Sequence, residues 1–181
     1  MFLELNYFFS MRKIFYIIAV FFLSACTNKE ELITEGYKPI YVSYDNIHDV
    51  SSGSPVPIVN PGKIYLYNNL VFINEKGRGV HVINNTNPSA PQKTHFITIP
   101  GNYDIAIKNN FLYADNACDL VTIDINNLDN VSISSRISNV YDIRKQMYPD
   151  FANGYFECVD TTKGFVIGWY KTELINPKCR R

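Results

Sequence analysis

Between residues 62 and 140 short apolar runs alternate with polar breaks, and no stretch carries the i, i+3, i+4, i+7 apolar stripe of an amphipathic helix. Alternation is clear in Ile64-Tyr65-Leu66-Tyr67 and in Tyr103-Asp104-Ile105-Ala106-Ile107. The pattern predicts strands over 63–67, 70–74, 80–84, 95–99, 103–107, 111–114, 120–125 and 131–137. The breaks Asn68-Asn69, Glu75-Lys76-Gly77-Arg78-Gly79 and Asn109-Asn110 are rich in residues that tolerate positive φ, as tight hairpin turns require. The expectation is an all-β body of antiparallel meanders. Upstream, 29–61 is polar and proline-bearing around Ser51-Ser52-Gly53-Ser54-Pro55-Val56-Pro57, and reads as a tether and irregular lead-in with one short strand at Tyr41-Val42-Ser43-Tyr44. Downstream, 141–148 has the composition for one or two helical turns before Pro149, and 155–160 with 164–170 read as a hairpin across Thr161-Thr162-Lys163.

The meanders repeat. Ile64-Tyr65-Leu66-Tyr67-Asn68-Asn69-Leu70-Val71-Phe72 aligns with Ile105-Ala106-Ile107-Lys108-Asn109-Asn110-Phe111-Leu112-Tyr113 at an offset of 41. Val80-His81-Val82-Ile83-Asn84 aligns with Leu120-Val121-Thr122-Ile123-Asp124 at an offset of 40, one deletion apart. A period near 40 in all-β sequence is the size of a four-stranded propeller blade. At these residues the chain resembles the LVIVD-repeat family, whose units carry a Leu-Val-Ile-Val-Asp-like strand followed by a turn containing Asn or Asp and Pro. Leu120-Val121-Thr122-Ile123-Asp124 is the closer copy; Gly79-Val80-His81-Val82-Ile83-Asn84 with Asn87-Pro88 is the looser. The resemblance covers roughly 62–140 and implies β-propeller-type blades, about two of them. A repeat array needs about three units to bury its faces, so an amino-terminal fragment of a longer propeller is expected. The tail, Lys178-Cys179-Arg180-Arg181, carries no stop signal and reads as an interruption.

The amino terminus has a different pattern. Arg12 and Lys13 precede an apolar run over 14–23, which ends in Leu23-Ser24-Ala25-Cys26. Such a run rises only about 15 Å as a helix, about half of a bilayer's hydrocarbon core, so a cleaved signal peptide is favoured over a membrane span. Leu-Ser-Ala-Cys resembles the lipobox of bacterial lipoproteins, which implies lipidation at Cys26 and a membrane anchor; an ordinary secretory signal with a chance cysteine is the alternative. The complete signal starting at Met11 makes Met11 the expected true start. After the cysteine, Lys29-Glu30-Glu31 looks like the surface-export signal of Bacteroidetes lipoproteins, with a solvated charged tether as the alternative. Together with the repeats, this start resembles the large LVIVD lipoproteins of Bacteroidetes and implies an outer-membrane location, cell-surface or periplasmic.

Lys and Arg total 17, as do Asp and Glu, so no global field would recruit nucleic acid. Losing Arg12, Lys13 and Glu4 with the signal leaves that balance near zero. Three cysteines remain besides Cys26; Cys158 with Cys179 is the chosen disulfide, because a partner for Cys118 would have to cross repeats. There is no Cys-x-x-Cys, and His48, His81 and His95 lack two-His spacing, so neither a metal nor another cofactor is expected. Asp104, Asp115, Asp119 and Asp124 could supply the carboxylate pair of a glycoside hydrolase, but acids at strand ends are also what meanders use for turns. The many tyrosines suit sugar stacking or simply strand stability.

The organisation is therefore a signal peptide (1–25), a lipidated cysteine with tether and lead-in (26–61), two β repeats (62–140), and a helical turn with a hairpin (141–181). The function expected is a non-enzymatic binding or scaffold module for a glycan or protein partner. The alternatives are a propeller-type glycan-processing enzyme and a truncated, non-functional product.

Overall fold

The computed structural model describes residues 30–150 and 153–181, without the side chains of Ile143 and Lys145. The signal peptide, Cys26 and Lys29 lie outside these residues. Glu30 and Glu31 are exposed. Residues 33–181 make one unit, which opens with β1 (Ile33–Val42) and β2 (Ser51–Gly53). The predicted strands then follow as two meanders: β3 (Pro61–Tyr67), β4 (Leu70–Glu75), β5 (Gly79–Asn84) and β6 (Gln92–Thr98), then β7 (Ile105–Lys108), β8 (Phe111–Asn116), β9 (Asp119–Asp124) and β10 (Ser132–Ile137). Within each meander every consecutive pair is antiparallel, and β2 adds an edge strand on β6.

The sequence repeat is a structural one. Tyr67 pairs with Leu70 and Lys108 with Phe111, so both asparagine pairs form two-residue hairpin loops. Asn68 (φ 52°), Asn109 (φ 52°) and Asn110 (φ 61°) adopt the left-handed conformation, which asparagine tolerates through its short polar side chain. The one-residue deletion falls in the next turn, where three residues separate the paired Glu75 and Gly79 but two separate Asn116 and Asp119. Beyond it the Asn84 carboxamide accepts from the Thr86 amide (2.9 Å) and the Asp124 carboxylate from the Asn126 amide (2.8 Å). Asn87 and Asn127 likewise accept from Ser89 and Asp129. The last strand pair of each meander carries a bulge at the corresponding position.

The two meanders bury a shared core that includes Phe72, Val80, Val82, Ile97, Ile105, Leu112, Val121 and Ile123. Alternation reads directly in β7 and β9, whose burial switches residue by residue. β5 instead is buried on both faces from Gly79 to Val82. Val80 and Val82 join the core, whereas His81 lies on the face of Phe96, its cross-strand partner.

A third sheet has the order β12–β1–β11–β13, formed with β11 (Tyr155–Phe156), β12 (Phe165–Ile175) and β13 (Cys179–Arg180). β1 runs antiparallel to β12 from Ile33 opposite Ile175 to Val42 opposite Phe165, and parallel to β11. Two expectations are corrected here. The lead-in contains a ten-residue strand, earlier and longer than Tyr41–Tyr44. Gly36 and Pro39 obscured it, but Gly36 is what allows close approach: a Cβ there would meet Leu174 at 2.3 Å and the Tyr155 carbonyl at 2.6 Å. The expected hairpin of 155–160 with 164–170 does not form, because β1 lies between the two segments and takes the hydrogen bonds of both. The predicted helical turn is a 3-10 turn over Ile143–Met147, its Arg144 amide capped by Asp142 (3.0 Å).

Cys158 and Cys179 form a disulfide, the pair chosen from the sequence, with Cα atoms 5.3 Å apart. Across a 21-residue separation, the loop-closure model credits such a bridge with about 3 kcal/mol. It pins β13 to the segment just past β11, beside their short ladder. The Cys118 thiol stays free and half-buried, and burial pushes its pKa up.

Candidate functional site

The third sheet meets the meanders where the turns after β4, β6 and β8 converge. Gly77 (φ +79°) lies so close to β12 that a Cβ would fall 1.9 Å from the Ile167 carbonyl, and its amide donates to Asn102 O at 2.7 Å. Gly101 (φ +71°) abuts Ala117 in the same way and donates to Gly77 O at 2.9 Å. Next to it, the buried Asn102 carboxamide accepts from Asn74 Nδ2 (2.5 Å) and donates to Asp115 Oδ1 (2.8 Å). Asp115 also accepts from the Tyr103 and Asp104 amides, each at 2.8 Å. Burial pushes its carboxyl up, against these amides, which favour the charged form.

This network fixes one wall of a cleft. A cavity of about 250 Å³ is walled by the aromatic rings of Tyr103, Tyr141, Tyr148 and Trp169, with the carboxylates of Asp115, Asp142 and Asp150. It adjoins a second cavity of about 320 Å³ that shares Tyr103, Asp150 and Trp169 and reaches Lys76 and Arg78. Tyr103 donates its hydroxyl proton to Ile167 O (3.2 Å). Burial, then the charges of Asp150 and Asp115, push its pKa up to about 12, so it remains a neutral phenol.

The opposite wall is built from the segment after β10. The Tyr141 amide donates to Cys118 O (2.9 Å), holding that residue at the rim. The Asp142 carboxylate is paired with Arg144 at 2.9 Å. Trp169 Nε1 donates to Gln146 O (3.1 Å), and its ring meets Phe156 edge-on at 5.6 Å, which fixes the indole in place. Arg181 lies over the Tyr148 ring at 5.7 Å. Gln146 lines this cavity, while its Oε1 atom is buried and finds no hydrogen-bond partner.

Two further polar clusters occupy corresponding ends of the meanders. In the first, the Glu75 carboxylate, 1% exposed, contacts His81 Nε2 at 2.9 Å and accepts from the amides of Val59 (3.1 Å) and Asn60 (2.6 Å). In the second, Asp119 accepts from Arg136 (2.8 Å) and from the Asn139 amide (3.0 Å), while Asn116 ties down Ile47 O and Pro100 O. Burial by itself would raise both carboxyls, but these partners hold Glu75 and Asp119 below their ordinary values.

The four candidate catalytic acids are dispersed. Asp104 pairs with Lys63 (2.8 Å), Asp115 holds the Tyr103 turn, Asp119 pairs with Arg136, and Asp124 caps the turn after β9. Only Asp115 reaches the cleft. Each histidine sits beside a carboxylate instead of another histidine: His48 by Asp119, His81 by Glu75, His95 by Asp129. Sequence reasoning missed the Glu75–His81 pair and the role of Trp169. The available signals were a histidine and a glutamate one turn apart in an apolar hairpin, and the chain's single tryptophan. No family model, no curated protein and no solved structure matches this chain.

Proposed function

We propose that the protein is a lipid-anchored binding module, held at a bacterial outer membrane through Cys26, which engages a glycan in the aromatic cleft. The observation that carries the glycan reading is the cavity itself: four aromatic rings next to carboxylates. Sugars present apolar C–H faces that stack on such rings and hydroxyls that donate to such acceptors. The meanders are proposed to be propeller-type blades of the LVIVD kind; a shared register, shared turn caps and a shared bulge support that reading. Anchoring and surface export are proposed from Leu-Ser-Ala-Cys and Lys29-Glu30-Glu31.

Tyr141 is the residue to test, because it lines the cavity yet is 45% exposed and so contributes little to the core. In a glycan screen followed by titration calorimetry on the full lipidated protein in detergent, Tyr141→Ala should weaken binding about tenfold, the scale of one lost stacking contact. Its Tm should stay within about 2 °C of the parent. Unchanged affinity, or no glycan bound by the parent, would sink the reading. Independently, Cys26→Ser should move the protein from the membrane to the soluble fraction, since the acyl chains supply the anchoring energy. Retention on the membrane by the variant would refute lipid anchoring.

A further inference from the structure

Resting on the glycan reading of the same cleft, we infer that the 250 Å³ cavity takes the positively charged group of its ligand, an ammonium-bearing sugar ring. The charged groups of its lining include two carboxylates with no basic partner among the described side chains. Asp115 and Asp150 line the space. Two of the donors in the lining are already used: Tyr103 OH on Ile167 O, and Trp169 Nε1 on Gln146 O. A protonated amine is all donor and no acceptor, so it suits these carboxylates, whereas a carboxylate or phosphate would be repelled by them.

Charge and shape agree. Arg144 pairs with Asp142, and Arg181 sits on the Tyr148 ring. Among the described side chains no cation pairs with Asp115 or Asp150 in an ion bridge. Their negative potential is felt inside the cavity, where both raise the pKa of the Tyr103 phenol. Tyr103, Tyr141 and Trp169 add electron-rich faces that attract a cation within about 6 Å of a ring centre. The volume lies at the lower end for small-molecule sites, which suits one ring and not a chain. The adjoining 320 Å³ cavity, bordered by Lys76 and Arg78, continues the cleft for the rest of the glycan.

The test is titration calorimetry of the full lipidated protein in detergent with three probes: a glucosamine oligosaccharide, its N-acetylated counterpart, and choline chloride. The glucosamine oligomer should bind at least tenfold more tightly than the acetylated one at neutral pH. Asp150→Asn should shrink that ratio below about threefold while leaving the acetylated oligomer's affinity unchanged. Asp129→Asn, outside the cavity, should leave the ratio intact. Equal affinity for the two oligosaccharides, or a preference that survives Asp150→Asn, overturns the ammonium assignment and leaves the glycan reading standing. Binding of choline with no binding of either oligosaccharide overturns the glycan reading and places a small quaternary ammonium in the cavity instead.

Discussion

Glu75→Ala is expected to cost about 3–5 kcal/mol of folding stability, the scale seen when one partner of a buried ionic cluster is removed. The carboxylate is almost wholly enclosed and satisfies His81 Nε2 and the amides of Val59 and Asn60 at once. Alanine would leave the buried His81 ring without its acceptor and release the exposed 58–60 segment from Glu75. For a body of this size the loss corresponds to a fall in Tm of roughly 10 °C. Glu75→Gln keeps one oxygen for the amides and should cost less than half as much. Thermal denaturation of the three proteins tests this; a Glu75→Ala variant within 1 kcal/mol of the parent would show that the cluster does not hold the segment.

The two polar clusters together set an acid limit. Glu75 and Asp119 are both held below their ordinary pKa in the folded state, so each favours folding at any pH above its unfolded pKa of about 4. That contribution disappears as pH falls through the lower, folded values. Urea midpoints should therefore be level near neutrality and drop below about pH 4, and Glu75→Ala should flatten part of the drop.

Gly77→Ala is expected to be as severe, for a different reason. The backbone there is left-handed at φ +79°, and the new Cβ would be 1.9 Å from Ile167 O. The left-handed conformation alone costs an L-residue about 1–2 kcal/mol. Relieving the clash means separating the β4–β5 turn from β12, and with it the hydrogen bonds of Gly77 and Gly101 that shape the cleft. A total of at least about 3 kcal/mol is expected, together with loss of ligand binding. Ala substituted at Gly53, where nothing lies within 4 Å, should be tolerated. If Gly77→Ala melted within 2 °C of the parent, the junction would be more pliable than its geometry implies.

How much of this was legible in the sequence follows from which interactions are local. The hairpin strands announce themselves through alternation, and their turns through paired asparagines and glycines. These signals act between residues close in the chain, so the two meanders and their period could be read directly. The disulfide pair was legible as well, because only three cysteines remained to be paired after Cys26. The cleft was not. Tyr103, Gln146 and Trp169 come from three separated segments, and Asp115 looks like any turn acid until Asn102 and the Tyr103 amide are placed on it.

β1 makes the same point most sharply. Its residues have poor strand credentials, with glycine and proline inside the run, and its partners lie more than a hundred residues downstream. Only packing against β12 and β11 makes it a strand. The sequence by itself determined an all-β body, the register of two hairpin repeats and an apolar run ending at Cys26, because backbone preference and side-chain periodicity act over a few residues. The third sheet and the aromatic cleft were decided by tertiary structure alone, because each depends on distant segments whose association is favoured only once the meanders offer a surface to bury.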